Sequence, residues 1–101
     1  MDLASIHFHD AQIFKVIEDT QQNTLTMEVE YPVDWESNKF ERRQLIFEDA
    51  LDYTIVEIPF QGAPTILGVK VITSEGCRKR IRLETNAGAR ELSFSAVRLE
   101  K

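Results

Sequence analysis

The residues whose types could support chemistry lie near the N-terminus, in the stretch IHFHDAQIFK at 6–15. His7 and His9 are the two histidines of the chain. Residues two apart on a strand point to the same side, about 7 Å from each other. Such a pair binds zinc or iron when a carboxylate or another imidazole supplies a third ligand. One interpretation is therefore a metal site that uses His7 and His9.

The other interpretation of this stretch is structural. Ile6 and Phe8 alternate with the histidines, which predicts a strand over 5–9 with Ile6 and Phe8 in the core and both imidazoles toward solvent. Asp10 follows, and an Asp at the end of a strand accepts backbone N–H groups and turns the chain. His9 and Asp10 also resemble a base with its orienting carboxylate, but the sequence has no G-x-S-x-G or other nucleophile motif beside them. We therefore favour strand and turn, and expect a protein that is not an enzyme and needs no cofactor.

A basic cluster is expected on one face of the C-terminal strands. In KRIRLET (79–85), apolar Ile81 and Leu83 alternate with arginines, so the arginines share the face opposite the core. Guanidinium groups pair with carboxylates or phosphates. The cluster is therefore either an anion-binding face or a ladder of ion pairs with carboxylates of another segment, and we favour the ladder. Its members are Lys70, Arg78, Arg80 and Arg82, with Ser93 and Ser95 on the neighbouring strand.

A loop with aromatic and acidic residues, YPVDWESNKF at 31–40, is the predicted partner-binding segment. Tryptophan and tyrosine are frequent anchors of protein contacts. Trp35 has a second interpretation as a lid over an open barrel end. The residues predicted to contact a partner are Tyr31, Asp34, Trp35 and Glu36.

Composition limits the classes of function. A chain of 101 residues predicts one β-rich domain over 1–101. The net charge of −5 disfavours binding to nucleic acid or to an anionic membrane and fits a basic protein partner. The single cysteine, and the absence of a signal peptide or an apolar stretch long enough to span a bilayer, favour a cytoplasmic protein. The oligomeric state stays open.

Alternation with period two predicts the fold. TLTMEVEY (24–31) alternates apolar with polar residues, as do the runs at 67–73, 79–85 and 90–100. Turn residues separate the strands every ten to thirteen positions. We predict an all-β, mainly antiparallel β-sandwich or partly open β-barrel of about 7–8 strands. One short helix is considered near 48–53, within FEDALDY, where Asp49 would act as the cap.

Strand register follows from which side chains must face inward. The turns SEG (74–76) and NAG (86–88) predict an antiparallel meander over 65–99, with Gly76 free to take positive φ. The cross-strand pairs that keep apolar side chains together are Val71 with Ile81, Val69 with Leu83, Leu83 with Leu92, and Ile81 with Phe94.

The sequence resembles small bacterial β-rich proteins of uncharacterised function that open with a His-Asp-Ala signature, here His9-Asp10-Ala11. The resemblance continues in the step Leu45-Ile46-Phe47-Glu48-Asp49 and in the final strand ELSFSAVRLE. Some proteins of this type resemble immunity proteins that neutralise the toxins of rival bacteria. The resemblance implies an acidic cytosolic inhibitor that covers a toxin's active surface, with a variable partner surface in 31–44. No catalytic residues are carried over.

Three functions are therefore compared. The leading one is a non-catalytic cytosolic protein-binding module, in its specific form an immunity-type inhibitor of a basic toxin. The first alternative is a small-ligand or metal-binding β-barrel that uses His7 and His9. The second alternative is a structural or oligomeric module in which an exposed edge strand over 53–60 pairs with its own copy, unless Pro59 protects the edge.

Overall fold

The computed structural model describes residues 3–34, 36–59 and 61–101. Within those residues a short 3₁₀ helix, Leu3–Ser5, precedes eight β-strands. The strands are β1 Gln12–Asp19, β2 Thr24–Asp34, β3 Lys39–Glu48, β4 Leu51–Glu57, β5 Ile66–Glu75, β6 Arg78–Thr85, β7 Gly88–Phe94 and β8 Ala96–Glu100. No helix in these ranges has the length and apolar character needed to cross a membrane.

The strands form two four-stranded antiparallel sheets, in the orders β1-β2-β3-β8 and β4-β7-β6-β5. The all-β prediction is confirmed, and the two sheets form a β-sandwich. The helix considered near 48–53 is wrong, because β3 continues to Glu48 and β4 begins at Leu51. Asp49 and Asp52 have φ of 52° and 55°, in the left-handed region that a right-handed helix excludes.

The chain crosses between the two sheets twice at the same corner. The chain leaves β3 and enters β4 across Asp49 and Ala50, and it leaves β7 and enters β8 across Ser95. The Ser95 N–H donates to the Glu48 carbonyl at 2.9 Å, and the Ser95 hydroxyl donates to the Asp49 carboxylate at 2.5 Å. The left-handed Asp49 supplies the change of direction, and Ser95 fastens the two crossings to each other.

The sheets also meet edge to edge where β1 begins. The Ile13 N–H donates to the Pro64 carbonyl, the Ile66 N–H donates to the Ala11 carbonyl, and the Asp10 N–H donates to the Ile66 carbonyl. Among the described residues this contact includes only an isolated bridge between Gln12 and Thr65, and the sheets do not close into a barrel.

The core lies between the sheets and follows the alternation of the sequence. Leu25, Met27 and Val29 of β2 are almost completely buried, while the residues between them are partly exposed. Phe47 and Phe94 meet edge to face, with ring centroids 5.0 Å apart. Full burial of each such side chain stabilises the fold by roughly 1.5–3 kcal/mol.

The predicted register is confirmed between β5 and β6, where Val71 pairs with Ile81 and Val69 with Leu83. The connecting turn is shorter than predicted, and a bulge between Val71 and Thr73 restores the predicted pairs. Gly76 in this turn has a φ of 59°, as expected.

Between β6 and β7 the predicted register is wrong by two residues, because Ile81 pairs with Leu92 and Leu83 with Arg90. A shift of two keeps every side chain on its face, so the apolar pattern alone does not distinguish the two registers. The meander is confirmed for β5, β6 and β7, but it does not extend to 99, because β8 pairs with β3 in the other sheet.

Candidate functional site

An open slot runs between the edge strand of each sheet, β1 on one side and β4 on the other. Its volume is about 550 Å³. Phe14, at a bulge in β1, and Ile55 of β4 face the slot with their side chains about half exposed. Gly62, Ala63 and Pro64, which precede β5, and Arg90 of β7 contribute to the lining. The lining residues are Ile13, Phe14, Lys15, Val16, Ile55, Gly62, Ala63, Pro64 and Arg90.

A buried ion pair lies beside this slot. The Arg90 guanidinium donates from Nε to Glu57 Oε2 at 2.8 Å and from Nη2 to Glu57 Oε1 at 3.0 Å. The two side chains are only 11% and 12% exposed. This bidentate geometry suits a planar guanidinium and is stronger than a single hydrogen bond between neutral groups.

Tyr53 and Thr85 complete the network around the ion pair. Arg90 Nη1 donates to the Tyr53 hydroxyl at 3.1 Å, and the Thr85 hydroxyl donates to Glu57 Oε2 at 3.2 Å. Thr85 Oγ1 also accepts the N–H groups of Ala87 and Gly88, which ties the network to the turn between β6 and β7. Each charged group is thus satisfied from within the chain, as buried charges require.

The network shifts the pKa of each titratable member. The hydrogen bond from Arg90 lowers the pKa of Glu57, against the opposing effect of burial. Burial alone would lower the pKa of Arg90, but the hydrogen bond and charge of Glu57, with Tyr53, raise it above that of a free arginine. Burial raises the pKa of Tyr53, Arg90 opposes this rise, and the charges of Glu57 and Glu18 add to it. At neutral pH the pair is therefore ionised.

The edge strand β4 and the residue after it expose four large apolar side chains. Val56 is 76% exposed and Ile58, directly after the strand, is 67% exposed. Leu51 and Ile55 are 53% and 52% exposed. In the part of the chain that the structure describes, β4 pairs with β7 on one side and ends its sheet on the other. An exposed apolar edge of this kind is a surface for pairing with another chain.

The structure places the two histidines in a turn region. Residues 5–9 do not form the predicted strand, because the 3₁₀ helix ends at Ser5 and the chain turns at His9 and Asp10. The turn is confirmed, with Asp10 at a φ of 72°. His9 Nδ1 lies 3.2 Å from Asp10 Oδ2. The side chains of His7 and His9 are exposed, and Phe8 is buried, both as predicted.

Among the residues that the structure describes, no group of three or more His, Cys, Asp or Glu side chains is arranged to hold a metal ion. A second, more polar pocket of about 560 Å³ adjoins the turn and includes Asp10, Glu30 and Asn38 in its lining. Metal binding by His7 and His9 stays a prediction.

The residues of the predicted partner-binding loop lie partly in β2 and partly in the turn that follows it. Tyr31 is buried in β2, and its hydroxyl accepts the His7 N–H at 2.7 Å, so its predicted place in a loop is wrong. Asp34 and Glu36 are exposed as expected. Asp34 accepts the N–H groups of Glu36 and Ser37, and the hydrogen bonds from Ser37 lower its pKa. Trp35 lies outside the described residues.

The basic cluster forms a ladder with carboxylates of the neighbouring strands. Arg80 and Arg82 lie 3.2 and 3.5 Å from the two oxygens of Glu91, and Lys70 lies 2.9 Å from Glu84. Lys70 pairs with Arg82 across the sheet as predicted. Arg78 instead donates to the Asp49 carbonyl at 2.9 Å. The arrangement matches the favoured interpretation, and anion binding by this face stays a prediction.

The slot and its ion pair were missed at the level of sequence. Arg90 lies two residues before Leu92 and four before Phe94, at an inward position of β7. A charged residue at an otherwise apolar inward position is the sequence feature that could have indicated a buried ion pair. Glu57 shows the same feature after Ile55. The two are 33 positions apart, so each becomes interpretable only when the other is known to be opposite.

Comparison with known proteins supports the fold. No protein-family model and no protein of curated function matches the chain. It is similar to the crystal structure of an uncharacterized protein from Neisseria gonorrhoeae, with a TM-score of 0.66 at 12% sequence identity over 94% of both chains. At this identity the likeness concerns the arrangement of strands.

Proposed function

We propose that this protein is a non-catalytic protein-binding module that docks its partner on the apolar surface of β4. The observation that carries the proposal is the exposure of Leu51, Ile55, Val56 and Ile58 along one edge strand and its extension. Since such side chains gain free energy when a partner covers them, their clustering favours an interface. Glu57 and Arg90 neutralise each other, so the slot beside them offers apolar walls more than a reactive group.

The expected partner is basic. The chain carries a net charge of −5, and opposite charge on a partner raises the rate of association. The specific form of the proposal is an immunity-type inhibitor of a basic toxin, which the His9-Asp10-Ala11 resemblance motivates. Tyr31 is buried, so it cannot contact a partner together with Asp34 and Glu36 in the way that the sequence predicted. We therefore propose β4 as the main partner-binding surface.

The test compares two substitutions of exposed β-branched residues on two edge strands. Val56→Asp places a charge in the proposed interface, and Val71→Asp places the same charge on β5, where Val71 is also about half exposed. In native pull-downs from the source cells, we expect Val56→Asp to lose a partner that wild type and Val71→Asp retain. Binding of the purified partner should weaken at least about tenfold for Val56→Asp only. Equal capture by all three proteins contradicts the β4 interface.

Self-association is the competing use of the same edge. Light scattering of the purified protein checks it: a monomer over the accessible concentration range agrees with a hetero-partner, and a dimer that Val56→Asp dissociates makes the copy itself the partner. Retained folding of each variant is verified by its melting temperature, which should stay near that of wild type because both side chains are exposed.

A further inference from the structure

Resting on the proposed function, we infer that an extended segment of the basic partner enters the slot and pairs with the free edge of β4 as an added strand. The proposal specifies the mode of recognition, in which main-chain hydrogen bonds provide affinity and alternate side chains provide specificity.

The hydrogen bonds of β4 determine which of its residues are available for a new strand. The Ile58 N–H donates to the Ala87 carbonyl, so the backbone of Ile58 points toward β7. Residues two apart in an antiparallel strand point the same way. Val56, which pairs with Ala89, therefore also bonds toward β7. Ile55 and Glu57 consequently present their N–H and C=O groups to the opposite side, at the free edge.

Between Tyr53 and Glu57 the free edge of β4 has few of the features that prevent strand addition, and the bulge of this strand lies before that stretch, between Leu51 and Thr54. Proteins protect edges with proline, lysine or charged side chains that point inward. The part of β4 from Tyr53 to Glu57 contains no proline or lysine, and Pro59 follows the strand, where it leaves these groups accessible. Glu57 does point inward, but Arg90 neutralises it, so an added strand would not bury an unpaired charge.

The slot next to this edge suits the side chains of an extended peptide. Phe14 and Val16 line it from β1, and Ile55 lines it from β4. Since successive side chains of a strand alternate between faces, every second residue of an added strand would lie against these walls. An apolar residue at those positions would cover the exposed parts of Phe14 and Ile55.

The charges around the edge favour a basic occupant over a second copy of this chain. Glu18 lies near enough to Tyr53 to affect its pKa, and Asp52 is the neighbour of Tyr53 in β4. Both Glu18 and Asp52 are exposed. Two cations oppose a basic occupant: Lys15 on the lining, and Arg42, whose guanidinium lies 4.3 Å from the centre of the Phe14 ring and is paired with Glu30 at 3.6 Å. A second copy would bring its own Asp52 and a further net charge of −5, whereas lysine or arginine side chains of a basic segment would pair with the carboxylates.

The test uses a synthetic peptide of alternating valine and lysine, with both ends blocked, as the strand probe. Two matched controls are the same peptide with N-methylated backbone amides on its bonding edge and a peptide with glutamate in place of lysine. We expect the probe to bind and to slow hydrogen exchange at the amides of Ile55 and Glu57. N-methylation should weaken binding at least about tenfold, since it removes several hydrogen bonds. At low salt the glutamate peptide should bind more weakly than the lysine probe, because its charges repel the carboxylates near the edge.

A pair of proline substitutions gives an independent check. Ile55→Pro removes an N–H that faces the free edge, so the fold should persist while probe binding is lost. Val56→Pro removes an N–H that bonds to β7 and should destabilise the sheet. A folded Ile55→Pro protein with unchanged binding, or equal affinity for the probe and its N-methylated form, overturns strand addition.

The outcomes separate this inference from the proposed function. Loss of the partner on Val56→Asp, together with unprotected Ile55 and Glu57 amides in the complex, supports the interface and overturns the added strand. Protection of those amides in the protein alone, with a dimer in light scattering, overturns the basic occupant in favour of a second copy.

Discussion

The pair Glu57 and Arg90 shows how one inward charge decides the local structure. Removing two charges from water costs more free energy than a single contact returns, unless geometry and further hydrogen bonds are good. Here the contact is bidentate, and Tyr53 and Thr85 occupy further positions on the two groups. The pair therefore fixes the pairing of β4 with β7 more than it adds net stability, and removal of either partner leaves the other buried and uncompensated.

We expect Glu57→Gln to lower the free energy of unfolding by about 2–3 kcal/mol at neutral pH, because Arg90 loses its counter-charge. The pKa of Glu57 is lower in the folded state than its ordinary value of 4.5. Its contribution is therefore complete above pH 4.5 and is lost as the pH falls through the lower, folded-state pKa. The difference between wild type and variant should shrink in that acidic range, measured by urea unfolding at several pH values.

Glu84→Gln is the matched control for this experiment. Glu84 pairs with Lys70, and both side chains are well exposed, so its charge contributes little to stability. A difference between Glu57→Gln and wild type that stays constant down to strongly acid pH would contradict the role assigned to the ion pair.

At the scale of the element, the alternating pattern predicted most strands but not how they meet. The β5–β6 register followed from apolar pairing, because Val69 and Val71 have defined inward partners. The β6–β7 register did not, because a shift of two residues leaves the pattern unchanged and the deciding contact of Arg90 comes from β4. The short helix considered near 48–53 does not form, because Asp49 and Asp52 take left-handed conformations where the chain turns from β3 into β4.

The close approach of β4 to the turn between β6 and β7 depends on Gly88. Its φ is 150°, and a Cβ at this position would lie 2.1 Å from the Val56 carbonyl oxygen and 2.9 Å from the Glu57 Cα. Both atoms belong to the backbone, so a side chain is accommodated only by moving β4. We expect Gly88→Ala to lower the free energy of unfolding by about 3 kcal/mol.

The measurement for this prediction is equilibrium unfolding in urea, with Gly68→Ala as the control. Gly68 lies on β5 at an ordinary φ, and no atom lies within 4 Å of a Cβ built there. Loss of stability in Gly88→Ala to no greater extent than in Gly68→Ala is incompatible with the packing described.

For the whole molecule, the class of fold was predictable and the order of strands was not. Regular turns and period-two alternation specify stacked antiparallel strands, whatever the identity of the residues. The similar strand arrangement of the Neisseria gonorrhoeae protein at 12% identity shows that two very different sequences can adopt this arrangement. The departure of β8 to the other sheet depends on the crossing at Ser95, and the slot depends on how far the edges of β1 and β4 diverge. Both are properties of three-dimensional packing.

The two crossings at the corner have a consequence for how this molecule comes apart. Because β3 runs into β4 and β7 runs into β8, the layers share continuous backbone at their junction. The apolar faces of both layers also form one shared core, so unfolding of one layer would expose the apolar face of the other, and a species with one intact layer is not stable. Calorimetry should therefore record a single heat-absorption peak whose calorimetric and van't Hoff enthalpies agree. Two resolved peaks would mean that the two layers unfold independently.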